Sequence, residues 1–112
     1  MLPAITVRLI ARLGQPEGPC KSLHSRWSGP GSEPIPMPQP DVLLLECDEL
    51  GYAMLYRYTA GGEFGGDTWH ETVGMAKDAA VHEYGDEVVG PWEAVPESES
   101  DAHGYAIRHA TA

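Results

Sequence analysis

Residues 67–85 read DTWHETVGMAKDAAVHEYG, and within them a helix start, a helical period and a helix stop agree. Thr72 is a good N-cap, since its hydroxyl can accept from the backbone N–H groups that the first turn leaves unpaired. Gly85 stands where a left-handed C-terminal residue belongs. Between them the apolar side chains recur at helical spacing, at Val73, Ala76, Ala80 and Tyr84. The stretch therefore predicts a helix that begins after Thr72 and ends at Gly85.

The same stretch contains a second possible N-terminus for the helix. Thr68 and Glu71 form a capping-box pattern, which would begin the helix one turn earlier. We prefer Thr72, because Trp69 then becomes the last residue of a strand and contributes to the core. The buried alanines of the helix would let it approach a sheet closely.

The segment before the helix predicts an antiparallel meander. Residues 41–47 (DVLLLEC) and 52–59 (YAMLYRYT) are rich in strand formers. Residues 48–51 (DELG) suit a type I turn closed by a bulge, which sets the register of the hairpin. A third strand starts near Glu63 and is weakened, with a possible bulge, by Gly65 and Gly66.

After the helix, residues 92–95 (WEAV) predict a short edge strand stopped by Pro96. The predicted fold class is α+β, a small antiparallel sheet in β-β-β-α-β order with one helix packed on one face.

The predicted register gives the sheet two unlike faces. One carries small aliphatic side chains that match the helix, namely Leu43, Leu45, Cys47, Ala53 and Leu55, with Trp69 and Tyr84 at the ends. The other, which we call the tyrosine face, is too apolar for an ordinary solvent-facing sheet. It comprises Val42, Leu44, Tyr52, Met54, Tyr56, Tyr58 and Phe64.

The sequence predicts a partner-binding or dimer surface on the tyrosine face, because tyrosine and methionine are enriched in interfaces. The predicted binding residues are Tyr52, Met54, Tyr56, Tyr58 and Phe64. The alternative is that residues 5–13, or the flank of the last strand, fold back and cover this face.

Composition divides the chain into three parts. Residues 14–40 hold seven prolines and four glycines, so residues 1–40 are predicted to be a mostly disordered N-terminal extension. Residues 5–13 fit a strand or a short amphipathic helix equally well. Residues 41–96 are the predicted α+β domain, and residues 97–112 an acidic flexible tail. Met37, four residues before the first predicted strand, suggests a start site downstream of a translated leader.

The formal net charge of −10 narrows the function classes. An acidic surface repels nucleic acid and anionic membrane, and it favours a basic protein partner, self-association or simple solubility. Two cysteines are too few for a disulfide framework, so we expect reduced thiols and a cytoplasmic location. The sequence contains no apolar run of membrane-spanning length and no secretory signal pattern.

Motif searches predict no catalytic residue, no metal site and no cofactor. His70-Glu71 and His82-Glu83 lack the second histidine, four residues after the first, that a helical zinc motif needs. Residues 61–66 (GGEFGG) lack the Lys-Ser/Thr that follows a phosphate loop. We therefore expect a non-enzymatic interaction protein, such as an inhibitor, immunity protein or antitoxin. The alternative is a small metal-dependent or His-dependent hydrolase using His70 and Glu71.

Residues 41–96 also carry a family resemblance. The pattern Asp67-Thr68-Trp69-His70, Ala76-Lys77, Glu83-Tyr84-Gly85 and Trp92 resembles a family of small bacterial proteins of unassigned function. In that family a β-meander runs into a helix and a last strand, so the resemblance implies a fold and no activity. A weaker likeness, in element order alone, is to HicB-like antitoxins.

Overall fold

The structure is a computed structural model that describes residues 4–14, 25–26, 35–36 and 40–110. Its strands and helices, in chain order, are β1 (Ile5–Arg12), β2 (Ser25–Arg26), β3 (Ile35–Pro36), β4 (Val42–Asp48), β5 (Ala53–Tyr58), β6 (Phe64–His70), α1 (Val73–Tyr84), β7 (Glu93–Ala94) and α2 (Ala102–Arg108). β2 and β3 pair with each other. The rest of the described strands form a five-stranded antiparallel sheet in the order β6-β5-β4-β1-β7. The predicted α+β class with an antiparallel sheet is confirmed.

The central strand, β4, explains the sheet's two-sided core. Residues 42–47 are all buried, which is why this strand reads as a nearly continuous apolar run instead of an alternating one. Leu43 and Leu45 belong to a core under α1, whereas Val42 and Leu44 belong to a core on the opposite face.

The β4–β5 hairpin has the register that its turn predicts. Val42 faces Tyr58, and Glu46 faces Met54. The Asp48 N–H donates to the Tyr52 carbonyl at 2.9 Å, and Gly51 closes the turn with φ 95°. That positive φ requires glycine. The turn chemistry thus decides which side chains share the tyrosine face.

α1 has the predicted bounds and N-cap, and it ends at Gly85, which has a positive φ of 95° but, with ψ 145°, not the predicted left-handed helical conformation. Thr72 Oγ1 accepts from the Met75 N–H at 3.0 Å, and the Gly85 N–H donates to the Val81 carbonyl at 2.7 Å. Ala76 and Ala80 are buried against the leucines of β4 and β5. The helix therefore docks on the predicted aliphatic face.

Trp69 does not join the core under α1, and that prediction is wrong. β6 makes a bulge opposite β5, so that Tyr58 faces Phe64 but Tyr56 faces Asp67. Gly66, with φ 104°, takes the left-handed conformation there. The extra residue moves Trp69 onto the tyrosine face opposite Met54, where its side chain is 56% exposed.

β1 corrects the prediction that residues 1–40 are a mostly disordered extension outside the domain. It pairs with β4 along most of its length and separates β4 from β7. Ile10 and Ala11 are fully buried. Ile10 belongs to the core under α2, whereas its neighbour Leu9 packs against the core under α1, because adjacent side chains of a strand point to opposite faces. The rest of that prediction falls largely on residues 15–24, 27–34 and 37–39, which lie outside the described residues.

α2 corrects the prediction that residues 97–112 are a flexible tail. Asp101 caps it by accepting from the Gly104 N–H at 3.0 Å. Its alanines, Ala102 and Ala106, pack with Ala110 against Ile10, Val42 and Leu44. Helices therefore lie on both faces of the sheet. Part of the tyrosine face is covered, but by α2 in the predicted flexible tail, while the N-terminal segment that was the other candidate cover joins the sheet as β1. Neither helix of the described part of the chain is long and apolar enough to cross a membrane.

Candidate protein-interaction surface

α2 divides the tyrosine face into a covered half and an open half. The covered half holds Val42 and Leu44, with Tyr56 and Tyr58 partly buried beside them. The open half lies on β5 and β6, and we call it the aromatic patch. It comprises Tyr52, Met54, Phe64 and Trp69. Of the five predicted binding residues, Tyr52, Met54 and Phe64 are thus in the open half, while Tyr56 and Tyr58 form its border with α2.

The aromatic patch is exposed and ordered by ring contacts. Tyr52 is 43% exposed, Phe64 47% and Trp69 56%. The Tyr52 and Trp69 ring centroids are 5.1 Å apart, and those of Tyr58 and Phe64 are 5.7 Å apart. Aromatic pairs at this separation attract each other. The patch therefore presents large aromatic side chains that contact one another in pairs.

A carboxylate lies within the aromatic patch. Along β6, the exposed Asp67 stands between Phe64 and Trp69, opposite Tyr56. The bulge puts Asp67, three residues after Phe64, on the same face of the sheet as Phe64, and Trp69 follows on that face two residues later. A negative charge flanked by aromatic rings is suited to a cationic side chain, which can pair with the carboxylate and contact the ring faces.

The arginines whose side chains the structure describes are already paired within the chain. Arg8 contacts Glu46, Arg12 contacts Glu93, Arg57 contacts Glu83, and Arg108 contacts Glu99. Among the described side chains, no ion pair is formed by Glu63, Asp67 or Glu71, which lie on or beside β6. Asp67, in the open half of the tyrosine face, is therefore an exposed negative charge without an ion-pair partner among the described side chains.

The covered half contains a hydrogen-bonded chain from sheet to helix. Glu46 Oε1 on β4 is 3.1 Å from His103 Nε2 on α2, and His103 Nδ1 is 2.5 Å from the Tyr58 hydroxyl. The Tyr56 ring meets the His103 ring edge-on at 4.7 Å. Glu46, almost fully buried, also accepts from Arg8 Nε at 3.2 Å. In the neutral tautomer that donates from Nε2, His103 accepts the Tyr58 proton at Nδ1.

Glu46, His103 and Tyr58 form a carboxylate–imidazole–phenol series, an arrangement that can relay a proton. Whether the phenol gives up its proton depends on its pKa in this environment. Burial, then nearby charges including the Glu46 carboxylate, raises the pKa of Tyr56 and Tyr58 above the usual value. Both phenols therefore stay protonated, and the Tyr58 hydroxyl shares its hydrogen bond with His103 Nδ1. The chain joins β4, β5 and α2, so it holds α2 against the sheet. Sequence reasoning missed His103, because it lies 57 residues from Glu46 along the chain.

A second polar cluster lies on the α1 side of the sheet around Arg57, whose side chain is 1% exposed. Its guanidinium donates to both Glu83 carboxylate oxygens, at 3.1 and 2.8 Å, and to the Tyr84 hydroxyl at 3.1 Å. It also donates to Thr68 Oγ1 at 3.2 Å. Burial, then the Glu83 carboxylate, raises the pKa of Tyr84 above its usual value. The cluster joins α1 to β5 and β6. The sequence feature that could have indicated it is a charged residue, Arg57, on the face of β5 that otherwise carries Ala53 and Leu55.

Thr68 and His70 belong to this cluster, and it is Thr72 that caps α1 instead of Thr68. His70 Nε2 is 2.7 Å from Thr68 Oγ1. Burial, and secondly the Arg57 charge, lowers the pKa of His70 below its ordinary value. Glu71 is exposed, and no hydrogen bond joins it to His70 within the described chain. Across the same residues there is no cluster of three or more His, Cys, Asp or Glu side chains that could hold a metal ion.

Comparisons with known proteins leave the function to be argued from this geometry. No protein-family model matches the chain, and neither a curated protein nor a solved structure matches it significantly. The resemblance to small bacterial α+β proteins and to HicB-like antitoxins stays a prediction.

Proposed function

We propose that this chain is a small acidic protein-interaction domain that binds a basic protein partner through the aromatic patch. The observation that carries the proposal is the exposure of Tyr52, Phe64 and Trp69 on one face of a sheet, at 43%, 47% and 56%. Large aromatic side chains are enriched at the energetic centres of protein interfaces. An inhibitor, an immunity protein or an antitoxin is the class of interaction protein that we propose.

The charge distribution supports a basic partner over a second copy. The formal net charge is −10, and two copies that met at the aromatic patch would bring the exposed Asp67 carboxylate of each into one interface. Like charges brought face to face weaken association, whereas a cationic partner is attracted to the same region. A partner lysine or arginine near Asp67 would pair with its carboxylate and lie against Trp69 or Phe64.

The proposal is tested by capture from cell extract with three immobilised proteins, compared side by side. These are the wild type, a variant with Tyr52→Ser and Trp69→Ser, and a control with Met75→Ser. Met75 is 51% exposed on α1, on the other side of the sheet, so its replacement removes a similarly exposed apolar side chain outside the patch. We expect the wild type and the control to retain the same basic protein and the patch variant to lose it.

Thermal unfolding of the three proteins separates binding from folding. Because Tyr52 and Trp69 are largely exposed, the patch variant should unfold near the wild-type temperature. A captured protein that the folded patch variant retains at the wild-type level would contradict the proposal. Loss of that protein from the Met75→Ser control would contradict it as well.

A further inference from the structure

β6 is the long open edge of the sheet. It lies at the end of the strand order and pairs only with β5 within the described sheet. The opposite edge, β7, has two residues and is followed closely by Pro96. β6 has seven residues and no proline, so its outward backbone N–H and C=O groups can pair with another chain.

The end of β6 that follows the bulge is regular. Asp67, Thr68, Trp69 and His70 face consecutive residues of β5, from Tyr56 back to Ala53. Outside the β5–β6 ladder, residues 64–70 make no backbone hydrogen bond within the described chain. Within these four residues, the edge lacks proline and a bulge, two features that commonly prevent an edge strand from pairing with another chain. The charge of Asp67 is the one such feature that it has.

We propose that this edge of β6 receives an extended segment of the basic partner as an added strand. The proposal rests on the proposed function and specifies how the partner is recognised. In an added strand, the side chains next to Asp67 and Trp69 lie on the tyrosine face, two residues apart. A lysine or arginine beside Asp67 and an aliphatic or aromatic side chain beside Trp69 would complete this strand, while backbone hydrogen bonds supply affinity.

The negative charge of Asp67 favours a strand from a basic partner over a strand from a second copy of this chain. A second copy that added its own β6 with Asp67 opposite Asp67 would place acidic side chains next to each other across the new strand pair, which is destabilising. A strand with a cationic side chain at that position forms an opposite-charge pair instead. The same carboxylate therefore disfavours this self-pairing and favours a basic segment.

A designed peptide provides the test, because it needs no knowledge of the natural partner. The probe is the capped peptide Thr-Lys-Thr-Val-Thr-Lys-Thr, which reads the same in both directions and so fits a parallel or an antiparallel strand. Two further peptides carry N-methyl groups, one on every threonine and the other on both lysines and the valine. Each set blocks the N–H groups along one edge of the probe. Binding is measured by titration calorimetry, and amide hydrogen exchange of residues 64–70 is followed by NMR.

The expected result is that the unmodified probe binds and slows exchange of amides in 67–70. At least one N-methylated peptide should bind about tenfold more weakly, since hydrogen bonds to the strand edge are lost. Asp67→Asn should weaken the unmodified probe, whereas Asp78→Asn, an exposed carboxylate on α1, should not.

Two results would overturn the inference. One is equal binding of all three peptides, and the other is no binding of the unmodified probe at millimolar concentration. Either result leaves the proposed function standing if the captured basic protein still depends on Tyr52 and Trp69. Loss of the proposed function itself would show in the capture experiment, which does not use the peptides.

Discussion

His103 on α2 shares a hydrogen bond with the Tyr58 hydroxyl on β5, with 2.5 Å between Nδ1 and the oxygen. The same ring reaches Glu46 on β4 through Nε2. The fully buried side chains of α2 are alanines, which have little apolar area to bury, and Tyr105 is partly buried beside them. His103 is therefore the main polar connection between the helix and the tyrosine face, and it sets the boundary of the aromatic patch.

Replacing His103 with alanine should loosen α2. The change leaves the nearly buried Glu46 with Arg8 as its remaining polar contact among those described, and we expect a loss of about 1–2 kcal/mol in the free energy of unfolding. The matched control is His82→Ala, at an exposed helix position, which should change stability by less than about 0.5 kcal/mol. Urea denaturation of both variants measures the difference. Equal stability of the two would show that the hydrogen-bonded chain does not hold α2.

Replacing Arg57 with methionine should cost far more than replacing a surface arginine. The change removes the guanidinium from Glu83, Tyr84 and Thr68, and loss of one partner of a buried ion pair costs about 3 kcal/mol. Arg108→Met is the control, because its pair with Glu99 lies at the surface and should be worth less than about 1 kcal/mol. Denaturant unfolding compares the two. A small effect at Arg57 would mean that the cluster does not stabilise the docking of α1.

Two isoleucines in β1 test whether this strand is an integral part of the domain. Ile10 is fully buried, whereas Ile5 is 41% exposed on the same strand. Ile10→Ala should reduce the free energy of unfolding by about 2–4 kcal/mol, and Ile5→Ala by less than about 1 kcal/mol. A loosely attached segment would make both changes neutral in thermal or denaturant unfolding. The hypothesis that the chain starts at Met37 is decided separately by the intact mass of the natively expressed protein.

Acid should destabilise the fold partly through His70. Burial and Arg57 lower the pKa of His70 below its ordinary value of 6.5, so the unfolded chain takes up this proton before the folded chain does. The stabilising contribution is complete above pH 6.5 and is lost as the pH falls toward the lowered pKa.

The difference in stability between the wild type and His70→Gln should therefore shrink as the pH falls below 6.5. His82→Gln, on the exposed side of α1, serves as the comparison. Unfolding curves at several pH values measure the differences. A wild-type minus His70→Gln difference that stays constant across this range would refute the prediction.

The elements that local interactions define could be predicted from the sequence. The bounds of α1 follow from Thr72 and Gly85, and both caps act within four residues of where they sit. The hairpin register follows from the turn at 48–51, which predicted that Tyr52, Met54, Tyr56 and Tyr58 share a face. Most residues of the aromatic patch could thus be predicted from the sequence, but how much of the tyrosine face stays exposed could not.

What the tertiary structure decided depends on contacts between distant residues. Residues 5–13 fit a strand or a helix, and only the unpaired edge of β4, which is also buried on both faces, selects the strand. α2 is seven residues long and its buried side chains are alanines, so its apolar pattern is too weak to predict a helix from the sequence. Its position depends on the apolar tyrosine face against which it packs. The bulge at Gly66 sends Trp69 to the opposite face because a single inserted residue inverts the alternation of a strand. Caps and turns are stabilised by their own neighbours, whereas strand order, helix docking and the remaining exposed surface depend on which apolar areas the whole chain can bury together.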